Sequence, residues 1–169
     1  SASHNNFFGL YAGSGGDFIS QCCVTGCFNN FFGCYAGYCN TTGCYNNFMG
    51  ASAGRINTTG NDNNFFGRYA GRGNTSGCNN NFFGESAGGY NTTGRDNTFI
   101  GRCSGQGRFT FYVTGDSNFF AGVGAGLSAT TARQNVAIGH SALHQNETGN
   151  HNVAIGASAG SNGLSGSCN

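Results

Sequence analysis

The sequence predicts an all-β protein, a β-solenoid of about nine 17-residue coils, and three observations support that prediction. The motif Asn-x-Phe-Phe-Gly, or a variant that keeps its Asn and Gly, starts at nine places in the 169 residues. Six of the eight spacings between these starts are 17 residues, and fixed-period self-similarity is typical of solenoids. The chain has 32 glycines, each of which costs ~1 kcal/mol relative to alanine inside a helix. The nine starts define position one of each coil: Asn5, Asn29, Asn46, Asn63, Asn80, Asn97, Asn118, Asn135 and Asn152.

The repeats predict a single domain over residues 1–169. The two spacings that differ from 17 are 24 and 21 residues, which indicates short insertions near 16–23 and 108–112. Seventeen residues are too few for two helices and suit short strands joined by tight turns. Because paired strands lie ~4.8 Å apart, nine coils predict a rod roughly 40 Å long.

Three positions of the coil have an evident structural role. Asn at position one suits a turn whose side-chain amide bonds to the equivalent Asn above and below. Glycine at position five suits a corner with positive φ or a crowded backbone. Alanine at position eight, as in Ala12 and Ala159, leaves room for an opposing ring.

Alternation along a strand assigns the two apolar positions to opposite faces. Position four is predicted to face inward: Phe8, Phe32, Met49, Phe66, Phe83, Ile100, Ala121, Ile138 and Ile155. Position three is then predicted to face outward. Outward aromatic residues in a row usually mark a contact surface, here Phe7, Phe31, Phe48, Phe65, Phe82, Phe99 and Phe120. Two alternatives are that a bent strand buries both positions and that the insertions cover the outer one.

Composition and charge exclude several classes of partner. Charged residues make up only 8% of the chain and the net charge is +1, which gives no electrostatic basis for binding nucleic acid. No apolar run approaches the ~20 residues needed to insert across a membrane. Nine cysteines without a zinc-type pattern predict no metal or other cofactor and favour an oxidising, extracellular or cell-surface location.

Register predicts two disulfides. Cys22 and Cys39 share one position of adjoining coils, and Cys27 and Cys44 share another. In-register neighbours are ~4.8 Å apart at Cα, inside the ~4.4 to 6.8 Å range that a disulfide spans. We therefore expect Cys22–Cys39 and Cys27–Cys44 bridges. Cys168 is a candidate for a link between subunits.

Two recurring motifs suggest chemistry. Asn-x-Ser/Thr sequons on turns that we expect to be exposed are candidate glycosylation sites, although a tight turn needs the same residues: Asn40, Asn57, Asn74, Asn91 and Asn146. Three G-x-S-x-G matches, at Ser52, Ser86 and Ser158, follow from the glycine positions and lack a helix to complete a nucleophile elbow. We therefore expect no catalytic residues and no enzymatic activity.

Residues 135–149 resemble a known repeat. Asn135-Val136-Ala137-Ile138-Gly139 and the later Ala142-Leu143 and Asn146…Gly149 are similar to the 17-residue Asn-Thr-Ala-Ile-Gly…Asn-Thr-Thr-Gly arrays of bacterial and phage tail-fibre-like proteins. More distantly, they resemble the heads of trimeric autotransporter adhesins. The resemblance implies an elongated, non-catalytic β-solenoid of a fibre or surface appendage. Phe-Phe replaces Ala-Ile in most coils, which is a departure from that pattern.

The leading functional prediction is a structural subunit of an extracellular filament. Neither end of the sequence contains an evident cap, so we expect copies to stack head to tail as a homopolymer. The alternative to this stacking is that the sequence is a fragment whose caps lie outside it. The alternative is a phage tail-fibre or bacterial adhesin segment, with glycans or a cell surface as partner. A lesser alternative is an ice- or carbohydrate-binding solenoid, because Thr41/Thr42, Thr58/Thr59, Thr75/Ser76 and Thr92/Thr93 form a regular array of hydroxyls.

Overall fold

The computed structural model describes residues 4–15, 24–108, 112–162 and 166–168. Its strands are three residues long, one in each 17-residue unit, and the chain turns between them through tight corners. They are β1 (Asn6–Phe8), β2 (Asn30–Phe32), β3 (Asn47–Met49), β4 (Asn64–Phe66), β5 (Asn81–Phe83), β6 (Thr98–Ile100), β7 (Phe119–Ala121), β8 (Val136–Ile138) and β9 (Val153–Ile155).

The nine strands form one parallel sheet in which the spatial order is the sequence order. Each residue pairs with its equivalent in the next unit, so that Asn30 pairs with Asn47 and Phe31 with Phe48. Main-chain hydrogen bonds continue this register outside the strands, for example from Ser52 N–H to Cys34 O at 2.8 Å. The predicted β-solenoid is therefore confirmed.

The core is a stack of phenylalanines from position three, and the predicted assignment of the two faces was wrong. Six of the seven rings expected to form an outward contact stripe are buried: Phe31, Phe48, Phe65, Phe82, Phe99 and Phe120. Neighbouring rings in this column, which begins at Phe7, lie 4.8 to 5.0 Å apart and within 7° of parallel. The alternative in which both positions are buried also fails, because position four is largely exposed.

Asparagine sets the phase of this alternation. Asn46 at position one is fully buried, and its main-chain N–H and Nδ2 donate to Oδ1 of Asn29 at 3.0 and 3.1 Å. Its Nδ2 also donates to Gly60 O at 2.8 Å. Since position one points inward, position three points inward as well. The predicted Asn ladder is present, and it repeats from coil to coil.

A second buried Asn ladder lies at position twelve. Asn57 Nδ2 donates to Asn40 Oδ1 at 2.8 Å and to Gly60 O at 3.0 Å. The ladder stops where Val113, after the second insertion, takes the place of an Asn and pairs with Asn91. Asn91 Oδ1 is consequently buried without a hydrogen-bond partner among the described residues.

Glycine forms the corner after each strand, as predicted. At position five φ lies between 119° and 142° in all nine coils. A Cβ at Gly50 would lie 2.5 Å from Gly67 O, so the next coil also excludes a side chain there. Positive φ and close stacking thus both require glycine at this corner.

Position nine shows how the core accommodates its rings. Gly71 has a φ of 54°, and a Cβ placed on it would overlap the ring of Phe65. The eighth coil reverses the two sizes: Ala137 replaces the ring, and Leu143, 1% exposed with a φ of 48°, replaces the glycine. A large side chain at one position therefore accompanies a small one at the other.

The two predicted insertions lie mostly outside the described residues. The first, near 16–23, lies outside the described residues except for its flanks, and the second is described only at Arg108 and Tyr112. Among the residues that the structure describes, no helix has the length and hydropathy of a membrane span.

Candidate interaction surfaces

Position four forms an apolar stripe along one side of the solenoid, which we call the outer stripe and which is exposed except at the half-buried Phe66 and Ala121: Phe8, Phe32, Met49, Phe66, Phe83, Ile100, Ala121, Ile138 and Ile155. These residues were expected in the core. In the structure Phe83 and Ile100 are 41% and 42% exposed. Continuous exposed apolar surface usually marks a contact site, so the candidate contact surface is position four, one residue further along the strand than the predicted one.

The first and last described coils expose side chains that are covered elsewhere. Phe7 is 39% exposed, whereas Phe31 beneath it is fully buried, although both belong to the same stack. At the other end Val153 is 59% and Ile155 69% exposed. Each end of the described solenoid therefore exposes groups that, in the inner coils, contact a neighbouring coil.

The cysteines of position sixteen lie in register, as predicted. The Cys27 N–H donates to Cys44 Sγ at 3.1 Å, and Cys44 carries a free thiol. The Cys27–Cys44 bridge is not formed in this structure and stays a prediction. Cys22, the predicted partner of Cys39, lies outside the described residues. Cys168 is exposed, as a link between subunits requires.

The five predicted glycosylation sites are buried rather than exposed. Asn40, Asn57, Asn74, Asn91 and Asn146 each have 0% exposure. The first four form the position-twelve ladder, and Asn146 occupies the same position in a later coil. Each Nδ2, the atom that a glycan would occupy, donates to a glycine carbonyl in the same coil at 3.0 to 3.1 Å. The expectation of exposed turns was therefore wrong, and a glycan at these atoms is incompatible with the folded coil.

The threonine array is less available to solvent than the sequence suggests. Thr41, Thr58 and Thr75 at position thirteen donate their hydroxyls to main-chain carbonyls of the next coil at 3.0 to 3.1 Å. Thr42 and Thr59, one residue further on, are exposed. The predicted pair of hydroxyl columns is thus reduced to one that faces water freely.

The serines of the G-x-S-x-G matches lie at position seven, in left-handed corners. Ser52, Ser86 and Ser158 have φ values of 55° to 58°. Tyr35 and Tyr69 occupy equivalent corners with φ values of 57° and 61°. The match therefore reflects a recurring turn and not a strand-to-helix elbow.

Arginine and tyrosine gather beside these corners. Arg55 lies 5.3 Å from the centre of the Tyr35 ring, and Arg68 and Arg72 lie 4.5 and 5.6 Å from that of Tyr69. The three arginines and two tyrosines, with Ser52, line a groove of about 510 Å³. Within the described ranges, neither Arg55 nor Arg72 forms a salt bridge, whereas Arg68 approaches Glu85 at 3.8 Å.

Sequence reasoning missed this groove, although a signal for it exists. Arg55 and Arg72 share position ten of adjoining coils, and Tyr35, Ser52 and Tyr69 follow one another at position seven. Stacking equivalent positions in register would have brought these residues together.

Comparison of the chain with protein-family models, with characterised proteins and with solved structures finds no match.

Proposed function

We propose that this protein is a structural, non-catalytic subunit of an extracellular filament whose copies stack head to tail. The observation that carries the proposal is the repetition of one coil-to-coil interface along the solenoid. Every adjacent pair of strands is parallel and joins equivalent residues. A coil from another copy therefore meets the same hydrogen-bonding and apolar groups that a coil of the same chain meets.

The end surfaces support stacking in this direction. The half-exposed Phe7 ring offers one face to an incoming ring or small side chain, and the ladder spacing is already set beneath it at 5.0 Å. At the opposite end Ala154 is nearly buried, whereas the flanking Val153 and Ile155 are exposed. Burial of these groups and pairing of the strand edges would both stabilise a junction between copies.

The extracellular location is supported by the chemistry of the chain. Nine cysteines in 169 residues are typical of secreted proteins, and Cys27 and Cys44 are in register for oxidation. No reacting group is needed for the proposed role. The filament would form through main-chain pairing and apolar burial alone.

Sedimentation and negative-stain microscopy of the full chain test the proposal. We expect long fibres whose formation is suppressed by Phe7→Asp, because a carboxylate would enter the aromatic stack at the junction. Phe83→Asp is the matched control, since it places the same charge on the side of the solenoid. Monomers at high protein concentration, with both end coils ordered, would contradict head-to-tail assembly.

A tail-fibre or adhesin segment is the second candidate, and the outer stripe favours it. Such segments resemble this chain and form short rods from several copies side by side, which requires an apolar lateral surface. In that case Phe83→Asp, and not Phe7→Asp, would reduce the mass of the assembly. Microscopy would then show short rods of constant length in place of fibres.

A further inference from the structure

The first two coils bring three tyrosine rings together. Tyr11 and Tyr35, at position seven of adjoining coils, stack with their ring centres 5.1 Å apart and their planes 28° from parallel. The ring of Tyr38 meets both of them edge-on, with its centre 5.4 Å from that of Tyr35 and 6.4 Å from that of Tyr11. Three phenols are therefore in mutual contact on one side of the solenoid.

The main chain holds the stacked pair in register. Tyr35 N–H donates to Leu10 O at 2.9 Å, and Gly13 N–H donates to Ala36 O at 2.9 Å. These hydrogen bonds lie on both sides of Tyr11 along the chain. Tyr11 and Tyr35 also share a left-handed φ of 57°, so their side chains leave equivalent corners of the coil. The contact between the two rings thus follows from the stacking of the coils.

The separation of the rings suits oxidative coupling of two phenols. Coupling joins two ring carbons, each of them next to the carbon that carries the hydroxyl group. Two rings joined by a carbon–carbon bond of about 1.5 Å have their centres about 4.3 Å apart. Among the three pairs, Tyr11 and Tyr35 are nearest to that separation and need the smallest approach of their centres.

Coupling also requires one ring to turn its edge toward the other, and Tyr11 has the most room to turn. Tyr11 is 37% exposed, whereas Tyr35 and Tyr38 are half-buried. The Arg55 guanidinium lies 5.3 Å from the centre of the Tyr35 ring and 5.9 Å from that of Tyr38, and these cation–π contacts hold both rings. Arg55 belongs to the third coil and Tyr11 to the first, so they approach Tyr35 from opposite sides.

We infer that Tyr11 and Tyr35 form a dityrosine cross-link when a one-electron oxidant, such as a haem peroxidase with hydrogen peroxide, acts on the protein. Each phenol loses one electron and one proton to become a phenoxyl radical, and the two radicals combine in one new carbon–carbon bond. Each bonded carbon then gives up its proton and each oxygen regains one, which restores both aromatic phenols. Overall the chain loses two hydrogen atoms, and one peroxide molecule is reduced to two water molecules.

The cross-link would join the first coil covalently to the second. Tyr35 follows Tyr11 by 24 residues, and the insertion near 16–23 lies between them in the sequence. Because a closed loop restricts the unfolded chain, the cross-linked protein should melt at a higher temperature than the untreated one. Unlike a disulfide, this bond withstands thiol reductants. The inference does not depend on filament assembly.

Peptide mapping of the full chain after treatment with a haem peroxidase and hydrogen peroxide tests the site. Cleavage before aspartate separates peptide 1–16, which contains Tyr11, from peptide 17–61, which contains Tyr35. Reduction before mapping opens disulfides and leaves the carbon–carbon bond intact. We expect the two peptides to be recovered as one product, lighter than their sum by two hydrogen atoms, with fragmentation placing the bond between Tyr11 and Tyr35.

The cross-link should form within one chain. The treated protein should run as a single chain in a denaturing gel under reducing conditions. Because two rings held together react as an effectively unimolecular pair, about tenfold dilution of the protein should leave the cross-linked fraction unchanged.

Variants assign the bond to this pair. Tyr35→Phe should abolish the joined product, because its ring still stacks but lacks the hydroxyl group that forms the radical. Tyr45→Phe is the matched control, since Tyr45 lies in the same peptide but stacks on Phe28 at 5.0 Å, and it should give the joined product like the unchanged protein. Tyr38→Phe should also keep the product, because Tyr38 lies further from Tyr11 than Tyr35 does. Circular dichroism verifies that each variant is folded.

Three outcomes would overturn the inference. The first is that peptides 1–16 and 17–61 are recovered unlinked, while N-acetyltyrosine in a parallel reaction is coupled by the same oxidant. The second is that the joined product persists in folded Tyr35→Phe. The third is that its yield rises in proportion to protein concentration, which would assign the bond to contacts between chains.

Discussion

At the scale of single residues, neighbouring phenylalanines in one strand have opposite roles. Phe65 is fully buried in the ring stack, while Phe66 lies in the outer stripe. Phe65→Ala should lower the free energy of unfolding by about 3 to 5 kcal/mol, because it leaves a cavity between two stacked rings. Phe66→Ala should lower it by less, about 1 to 2 kcal/mol, because the Phe66 ring is half-buried and stacks on that of Phe83 at 5.1 Å. Urea denaturation of the two variants measures both, and the reverse ranking would contradict the observed orientation of the strand.

Asparagine also forms a second kind of ladder, at the half-buried position two, and it should contribute less to stability than the buried ladder at position twelve. Asn57→Val should cost about 2 to 4 kcal/mol of unfolding free energy, because Asn40 Oδ1 and Gly60 O each lose a buried donor. Asn47 forms a similar amide contact with Asn64 at 2.8 Å, but at a half-buried position that holds Val136 in a later coil. Asn47→Val should therefore cost less than about 1 kcal/mol. Equal losses in thermal melts would show that burial does not control the strength of these ladders.

The residue patterns predicted the repeat and its corners but not which apolar position faces the core. The 17-residue period, the corner glycine and the Asn ladder followed directly from the repeats. The inward face did not, because positions three and four are both apolar and a three-residue strand contains too little alternation to separate them. The eighth coil held the missing information. Ala137 occurs there together with Leu143, which indicates that positions three and nine share one space.

At the scale of the coil, positions three and nine share one space, so the large side chain can be at either of them. Gly71→Leu alone should destabilise the protein, since its side chain would overlap the Phe65 ring. Added to Phe65→Ala, it should restore part of the loss, because the pair reproduces the Ala137–Leu143 arrangement. The rescue should fall short of complete by about 1 to 2 kcal/mol, the cost of a left-handed conformation for a residue with a Cβ.

A double-mutant cycle measured by urea denaturation gives the coupling between the two changes. We expect a favourable coupling of at least about 1 kcal/mol. Gly88→Leu combined with Phe65→Ala is the matched control, because Gly88 contacts Phe82 and not Phe65. Additive losses in the Phe65–Gly71 pair would mean that the two positions do not share a space.

Adjacent coils should also accept a covalent link. Oxidation of Cys27 and Cys44 would close a loop of 17 residues and raise the unfolding free energy by about 3 kcal/mol. Peptide mapping without reductant should recover the two cysteines in one linked product, and reduction should lower the melting temperature. Cys44→Ser provides the control. Free thiols at both positions after oxidation would remove this prediction.

The burial of the sequons was not predictable from the sequence, because the residues of a tight turn and of a glycan acceptor are the same.

At the scale of the whole molecule, the solenoid should tolerate the loss of an entire coil. Deletion of residues 63–79 joins Asp62 to Asn80 and keeps every later residue at its position in the repeat. The product should unfold cooperatively and be about 5 Å shorter by small-angle scattering. Deletion of residues 63–78 joins Asp62 to Asn79 and leaves one extra residue at this corner, so it should be less stable, because the corner bonds in register to the coils on either side. Similar stability of the two deletions would contradict the role of register.

The likeness of the coils has a consequence for how the chain finds this structure. Coils that resemble one another so closely offer a folding chain many nearly equivalent partners, and a coil paired one repeat too early would satisfy most of the same hydrogen bonds. The Ala137–Leu143 pair does not prevent such a pairing, because positions three and nine belong to the same coil and move together when that coil mispairs. Chains trapped in a shifted pairing should therefore slow the refolding of this protein.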